Sequence, residues 1–209
     1  MYRQVKTTPR KRPRQHRSKA TVDSILEATA RVLKKDGFDG LTTNAVAEAA
    51  GVSIGSLYQY FPNKEALVAA MVETHLDARN ATTVGELQRV AMLPLAQAVR
   101  AMIELTIENY RKDPELKRVL IEQVPRVGRM AKVAALHAGM HQLITALFTA
   151  RRSELAVRDP DMAAFMVMST IEAICQRAAL FEPARLRDPT LIDEATLLVT
   201  RYLGLARVD

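Results

Sequence analysis

The sequence predicts an all-α protein, and three observations carry the prediction. Apolar residues recur at helical spacing, first in the stripe Val22, Ile25, Leu26, Thr29, Val32 and Leu33. Pro94, Pro114, Pro125, Pro160, Pro183 and Pro189 fall between the later periodic stretches, where helices begin or end. No segment alternates apolar and polar residues as a half-buried strand does. Composition agrees: 48% of the 209 residues are hydrophobic, but only 5% are aromatic and none is Trp, so the core is aliphatic and alanine-rich. Such a core suits packed helices better than a β-sandwich.

The elements follow in order. Residues 1–19 form a basic arm, expected to be disordered, with Arg3, Lys6, Arg10, Lys11, Arg12, Arg14, Arg17 and Lys19 and no acid. Removing those eight charges from the net +7 leaves −1 for residues 20–209, so the excess sits in the arm. A basic arm ahead of a fold suits a polyanionic partner, or serves as a solubilising tail. A helix is expected over 20–36, ended by Gly37 in a left-handed conformation with Phe38 folding back. A short second helix starts at Thr43 as N-cap and stops at Gly51. A third starts at Ser53 as N-cap and runs through Tyr60, and Asn63 caps a fourth beginning at Lys64. Helices are further expected near 84–92, 94–112, 115–123, 126–152, 160–182 and 190–204. The domains this implies are 20–65, a small three-helix unit, and 66–209, a larger helical one.

Several classes are excluded. The single cysteine, Cys175, makes no intrachain disulfide and no Cys-based zinc site, which fits a reducing, cytoplasmic setting. The basic N-terminus lacks an apolar signal core. The charge-free run Val133–Ala150 approaches spanning length, but His137, His141, Gln142 and Thr145 interrupt it, so it reads as a buried helix and no membrane is expected. His137 and His141 share a helix face, yet Ala138 stands where a metalloprotease helix carries Glu and no acid or thiol completes a ligand set, so no metal and no cofactor are expected. Cys175 has no basic cluster beside it to make it a redox sensor. Without a Walker loop, a dinucleotide fingerprint or a nucleophile elbow, the chain is not read as an enzyme.

The segment Thr43–Tyr60 is the most informative. Two short helices joined by Gly51-Val52-Ser53 have the spacing of a helix-turn-helix, whose second helix enters the DNA major groove. Val46, Ala50, Val52 and Leu57 supply its small core. The third helix then offers Ile54, Gly55, Ser56, Tyr58, Gln59 and Tyr60. Gly55 lets backbone approach DNA. Ser56 and the tyrosine hydroxyls suit phosphates or base edges, and Gln59 suits an adenine edge. Lys64 adds a cation at the next helix start. Phe61 is read as a packing aromatic, and packing is the alternative for Tyr58 and Tyr60.

The string ILEATARVLKKDGFDGLTTNAVAEAAGVSIGSLYQYFPNKEAL, residues 25–67, resembles the DNA-binding domain of the TetR family of bacterial regulators. The resemblance implies a phosphate contact at Thr43, base reading or approach over Ser53 to Ser56, phosphate contacts at Tyr58 and Tyr60, and a backbone clamp at Lys64. Many members carry Lys, Arg or Pro where Ile54 stands, so the base preference stays open. The resemblance further implies that the larger domain binds an effector and dimerises through its last two helices. On those helices Ala163, Ala164, Val167, Ile171, Ile174, Cys175 and Ala178 fit one face, and Leu197, Leu198, Arg201 and Leu205 fit the other; intrachain core is the alternative. Met71, His75, Met102, Leu105, Ile121, His137, Met140, His141, Ile144 and Phe148 are candidates to line an effector pocket, with plain core again the alternative. The expected function is a homodimeric repressor released from a palindromic DNA operator by a small apolar or amphipathic molecule. The alternatives are a member of the same family without a ligand, or a helical interaction protein.

Overall fold

A computed structural model of the chain describes residues 7–9 and 16–205, with the side chains of 16 and 17 excepted. The disorder expected of the basic arm falls mostly on residues 1–6 and 10–15, outside the described residues. Among the described residues every regular element is helical: α1 (His16–Gly40), α2 (Thr43–Ala50), α3 (Ile54–Tyr60), α4 (Lys64–Val90), α5 (Leu95–Lys112), α6 (Pro114–Arg126), α7 (Met130–Ala150), α8 (Pro160–Phe181) and α9 (Leu191–Leu203), with short 3-10 turns at Arg152–Glu154 and Pro183–Arg187. The chain divides into two compact units, one of residues up to 77 with 119–131, the other of 78–118 with 132–209.

The first unit is organised by α1 against α2. Ile25, Ala28, Thr29, Val32 and Leu33 are buried, as the apolar stripe requires, and the Thr29 hydroxyl is satisfied by the Ile25 carbonyl at 2.8 Å. α1 starts at His16, earlier than expected, and its terminal turn continues past Gly37, which has φ 66° and ψ 179°. Only glycine takes that conformation without strain, and it lets the Leu41 N–H reach back to the Gly37 carbonyl at 3.1 Å. Leu41, Val46, Ala47, Leu57 and Phe61 then close the small core.

In the second unit α5 packs on α9 and α8. Ala98, Val99, Ile103 and Ile107 of α5 meet a core shared with Ile171, Cys175 and Ala178 of α8 and Ala195, Val199 and Leu203 of α9. The small residues among them let helix axes approach closely. The end of α9 sits tightest. A Cβ on Gly204, whose φ is +72°, would stand 2.3 Å from the Ala156 Cβ.

Two boundaries differ from expectation for clear reasons. α4 is one helix through Val90, where a break near residue 80 was expected. No proline interrupts it, and the hydroxyls of Thr74, Thr82 and Thr83 bond back to the carbonyls of Ala70, Ala78 and Arg79, so those polar residues cost the helix little. The helix expected over 126–152 starts only at Met130, because Gly128 at φ +68° ends α6 with the Arg129 N–H bonded to the Val124 carbonyl at 3.0 Å. A third expectation is overturned: of α7 only Phe148 is fully buried, so this is not a buried helix of the single chain. α7 and α8 are long and apolar enough to cross a membrane by composition alone. Within α8, however, Glu172 is bonded to Arg79 and Tyr110 of its own unit.

Candidate nucleic-acid interface

The first unit builds an exposed helix from short-range chemistry. The N-cap of α2 is Thr42 rather than Thr43: its hydroxyl accepts the Ala45 N–H at 3.1 Å. Thr43 is thereby free for another bond, and its hydroxyl lies 3.0 Å from the Tyr58 hydroxyl, tying the start of α2 to α3. Gly51, at φ 67° and ψ 31°, ends α2 in the left-handed region and lets Val52 N–H reach the Ala47 carbonyl. The Arg31 guanidinium donates to the Ala49 carbonyl at 2.8 Å, steadying the same turn from α1. Ser53 then caps α3, accepting from the Ser56 N–H at 3.1 Å while its hydroxyl meets the Ser56 hydroxyl at 2.8 Å. Asn63 caps α4 through the Ala66 N–H.

This scaffold divides α3 cleanly. Leu57 is fully buried with Val46 and Ala47, and Phe61 just beyond the helix is buried too. Ser53, Ile54, Gly55, Tyr58 and Gln59 are exposed, and Thr43, Ser56, Tyr60 and Lys64 are partly so. Ile54 and Tyr58 keep 38% and 40% of their surface, a high figure for large side chains beside a core. Lys64 is engaged within the protein: its ammonium donates to the Phe38 carbonyl at 3.0 Å and stands 4.8 Å from the Phe38 ring centroid. Arg126, at the end of α6, lies over the same ring at 4.0 Å and pairs with Asp39 at 2.8 Å. Arg126 was missed by sequence reasoning, since nothing local links residue 126 to the turn at 38–40.

Two short helices joined by a glycine turn, with a buried seam and an outward polar face on the second, define a helix-turn-helix protein. Its relatives agree. Residues 25–71 match the family described as bacterial regulatory proteins, tetR family, and residues 94–203 match the tetracyclin repressor-like C-terminal domain. The chain is 30% identical to the HTH-type transcriptional regulator RutR of Escherichia coli K12 over 207 residues, covering 95% of this chain and 94% of that one. It is 39% identical to the HTH-type transcriptional repressor KstR of Rhodococcus jostii over 83 residues, 37% of this chain and 39% of that one. Among solved structures, the fatty acid degradation regulator FadR from Bacillus halodurans aligns with a TM-score of 0.70 at 16% identity, covering 89% of this chain and 97% of that one. A TetR transcription regulator from Haloarcula marismortui aligns at 0.69 and 18% identity, with 89% and 97% covered. The chain belongs to the TetR family of DNA-binding transcriptional regulators.

The other sequence candidates are dispersed. Met71, fully buried, and His75, whose Nδ1 lies 2.9 Å from the Met71 carbonyl, belong to the first unit. Ile121, also in the first unit, is partly exposed. In the second unit Met102, Leu105, Met140 and Ile144 are partly exposed, His137 is exposed and Phe148 is buried. His141 reaches α8, with Nε2 3.2 Å from the Asp161 carbonyl. Of the dimer candidates, Ala163, Ala164, Ile171, Cys175 and Ala178 are buried within this chain's own core, Val167, Ile174, Leu197 and Leu205 are partly exposed, and Leu198 and Arg201 are exposed. The face of α8 left outside carries Met162, Phe165 and Met166, residues that sequence reasoning did not choose.

The second unit also holds a polar cluster that sequence reasoning missed. Glu172 of α8 accepts from Tyr110 of α5 at 2.6 Å, from Arg79 of α4 at 3.0 Å and from Gln176 at 3.1 Å. Burial pushes the Glu172 carboxyl up, but the Arg79 charge and the bonds from Tyr110 and Gln176 outweigh it and hold it below its ordinary value. Burial, and the Glu172 charge beside it, push the Tyr110 phenol up, and the same two causes push the Cys175 thiol up to about 12. Cys175 is therefore a thiol, not a reactive thiolate. Lys117 of α6 is pushed down to about 8 by burial and by repulsion from Arg79. The available signal was Glu172 itself, the one charged residue between Asp161 and Arg177 of α8.

Proposed function

We propose that this regulator is a homodimeric repressor that holds a palindromic operator through α3 and releases it when a small molecule binds the second unit. The observation that carries the DNA half is the exposed face of α3. Ser53, Ile54, Gly55, Ser56, Tyr58, Gln59 and Tyr60 lie on a short helix fixed by the Ser53 cap and by the Thr43–Tyr58 bond. Hydroxyls and an amide presented on such a helix suit phosphates and base edges. Thr43 and Tyr58 reach one phosphate together, and Lys64 keeps N–H groups beyond those used by the Phe38 and Asp39 carbonyls.

The dimer half is supported by large apolar side chains left on the surface of the last two helices: Met162, Phe165 and Met166 on α8, Leu198 and Tyr202 on α9. Apolar surface gathered on two elements favours a partner, and a palindrome read in two successive major grooves, about 34 Å apart, calls for a second copy with its own α3. The effector half draws on α4, a single helix from Lys64 beside α3 to Val90. A ligand that binds two positions of this helix unequally changes DNA affinity. Such a protein works in the cytoplasm, where the chromosome lies.

Fluorescence anisotropy on the DNA upstream of the protein's own gene, against a scrambled duplex, tests the reading. Wild type is expected to bind the first duplex alone with salt-sensitive nanomolar affinity, and Tyr58→Ala to weaken it at least tenfold. Equal weak binding to both duplexes refutes operator recognition.

A further inference from the structure

Among the described residues of the first unit, only Ile54, Tyr58 and Met130 leave a large apolar side chain exposed. Ile54 and Tyr58 stand four residues apart on α3, so they lie one above the other on a single helix face. The Tyr58 hydroxyl is held 3.0 Å from the Thr43 hydroxyl, which restrains the ring next to Ile54. The neighbouring polar side chains are turned on one another. The Ser53 hydroxyl accepts the Ser56 N–H at 3.1 Å and is bonded to the Ser56 hydroxyl at 2.8 Å, so one of their two hydroxyl protons is already used.

Gly55 points the same way independently. It lies within α3, its φ is outside the left-handed region, and a Cβ there would meet nothing nearer than the Ser53 Oγ at 3.9 Å. Neither the backbone conformation nor the chain's own packing calls for glycine, which weakens a helix relative to alanine. A bare backbone here leaves room for a surface from outside, immediately beside an exposed isoleucine.

In a helix-turn-helix the leading residues of the second helix face base edges in the major groove. An aliphatic side chain there neither donates nor accepts a hydrogen bond. The apolar group that a base pair presents in that groove is the C5-methyl of thymine. We propose that Ile54 packs on a thymine methyl in each operator half-site and is a specificity-determining residue of this regulator, the missing side chain of Gly55 letting α3 come close enough for that contact. The assignment rests on the reading of α3 as the helix that enters the groove, and it adds the base selected there. A cytosine or purine edge at that position would set polar groups against Ile54, where they lose water and gain no partner.

Selection of duplexes from a random library by the full-length protein, followed by fluorescence anisotropy on the selected duplex, tests the assignment. Wild type is expected to enrich a motif with thymine at a fixed position of each half-site. Ile54→Ala is expected to lose the preference at that position and keep the rest of the motif. Uracil in place of that thymine removes the methyl and keeps every hydrogen-bonding group. It is expected to weaken wild type about fourfold per half-site, the share of one buried methyl, and to leave Ile54→Ala unaffected. Gly55→Ala is expected to weaken operator binding about tenfold, as a methyl forced into a close contact does, with helix content by circular dichroism unchanged. Uracil without effect, an equal uracil effect in Ile54→Ala, or full affinity in Gly55→Ala overturns the proposal. A wild type that enriches no motif refutes operator recognition itself, whereas an enriched motif indifferent to uracil overturns this contact alone.

Discussion

Removing the Tyr110 hydroxyl should cost more than its single atom suggests. Tyr110→Phe keeps the ring, 2% exposed, and deletes only the donor that lies 2.6 Å from Glu172. No cavity larger than one oxygen forms, so the transfer cost is small and the hydrogen bond dominates. A bond to a charged acceptor contributes about 1.5–3 kcal/mol, and the part-burial of Glu172, with 20% of its side chain exposed, places the expectation near ~2 kcal/mol. Glu172→Gln goes further, because it leaves Arg79 without its ion pair. Breaking a buried pair costs about 3–5 kcal/mol, and the 30% exposure of Arg79 moves the expectation to the low end, ~3 kcal/mol. Urea unfolding followed by circular dichroism at fixed protein concentration measures both. The double variant should cost ~1 kcal/mol less than the two single losses together, since the deleted partners share one bond. pH supplies a second check. Glu172 is held below its ordinary 4.5, so its contribution is present above that value and is lost as pH falls through the lower folded-state value. The gap between wild type and Glu172→Gln should therefore shrink below pH 4.5. A Tyr110→Phe loss under ~0.5 kcal/mol, or a gap that does not narrow in acid, would refute this account of the cluster.

Other perturbations separate the remaining roles. Lys117 titrates near 8 when folded and near 10.4 when unfolded, so the unfolded chain holds more protons between those values and stability should rise with pH across that window; urea midpoints at pH 7, 9 and 10 read the trend, which Lys117→Met should abolish. Tyr58→Phe breaks the bond to Thr43 without touching the core, and should reduce operator affinity about fivefold, the equivalent of ~1 kcal/mol, while keeping native helix content by circular dichroism. Phe165→Asp and Leu198→Glu place charge on the exposed apolar faces of α8 and α9 and should give monomers in analytical ultracentrifugation, with native helix content by circular dichroism. Gly204→Ala meets both a left-handed backbone and the Ala156 Cβ, and should cost at least ~2 kcal/mol in urea unfolding.

The helix-turn-helix was legible in residues 25–67 because its determinants are local. Gly51 with Ser53 sets a turn, Leu57 and Val46 mark its seam, and Ser53 and Asn63 are capping side chains whose partners lie three residues away. The choice between Thr42 and Thr43 as cap was not legible, since two adjacent threonines satisfy the same pattern and the Tyr58 hydroxyl decided which one turned outward. α8 shows the same limit on a larger scale. It has apolar residues on two faces, and periodicity alone cannot say which meets this chain's own core. The small face of Ala163, Ala164, Cys175 and Ala178 turned inward, because small residues allow the close helix approach that Met162, Phe165 and Met166 would block. The pairing of Glu172 with Arg79 and Tyr110, separated by 93 and 62 positions, lay beyond any local signal. Sequence by itself determined the all-helical class, the caps at Ser53 and Asn63 and the exposed face of α3, because those depend on neighbours within a turn or two. Only the tertiary structure decided which apolar face is core and where one part-buried carboxylate finds its cation, because those depend on groups brought together by the fold.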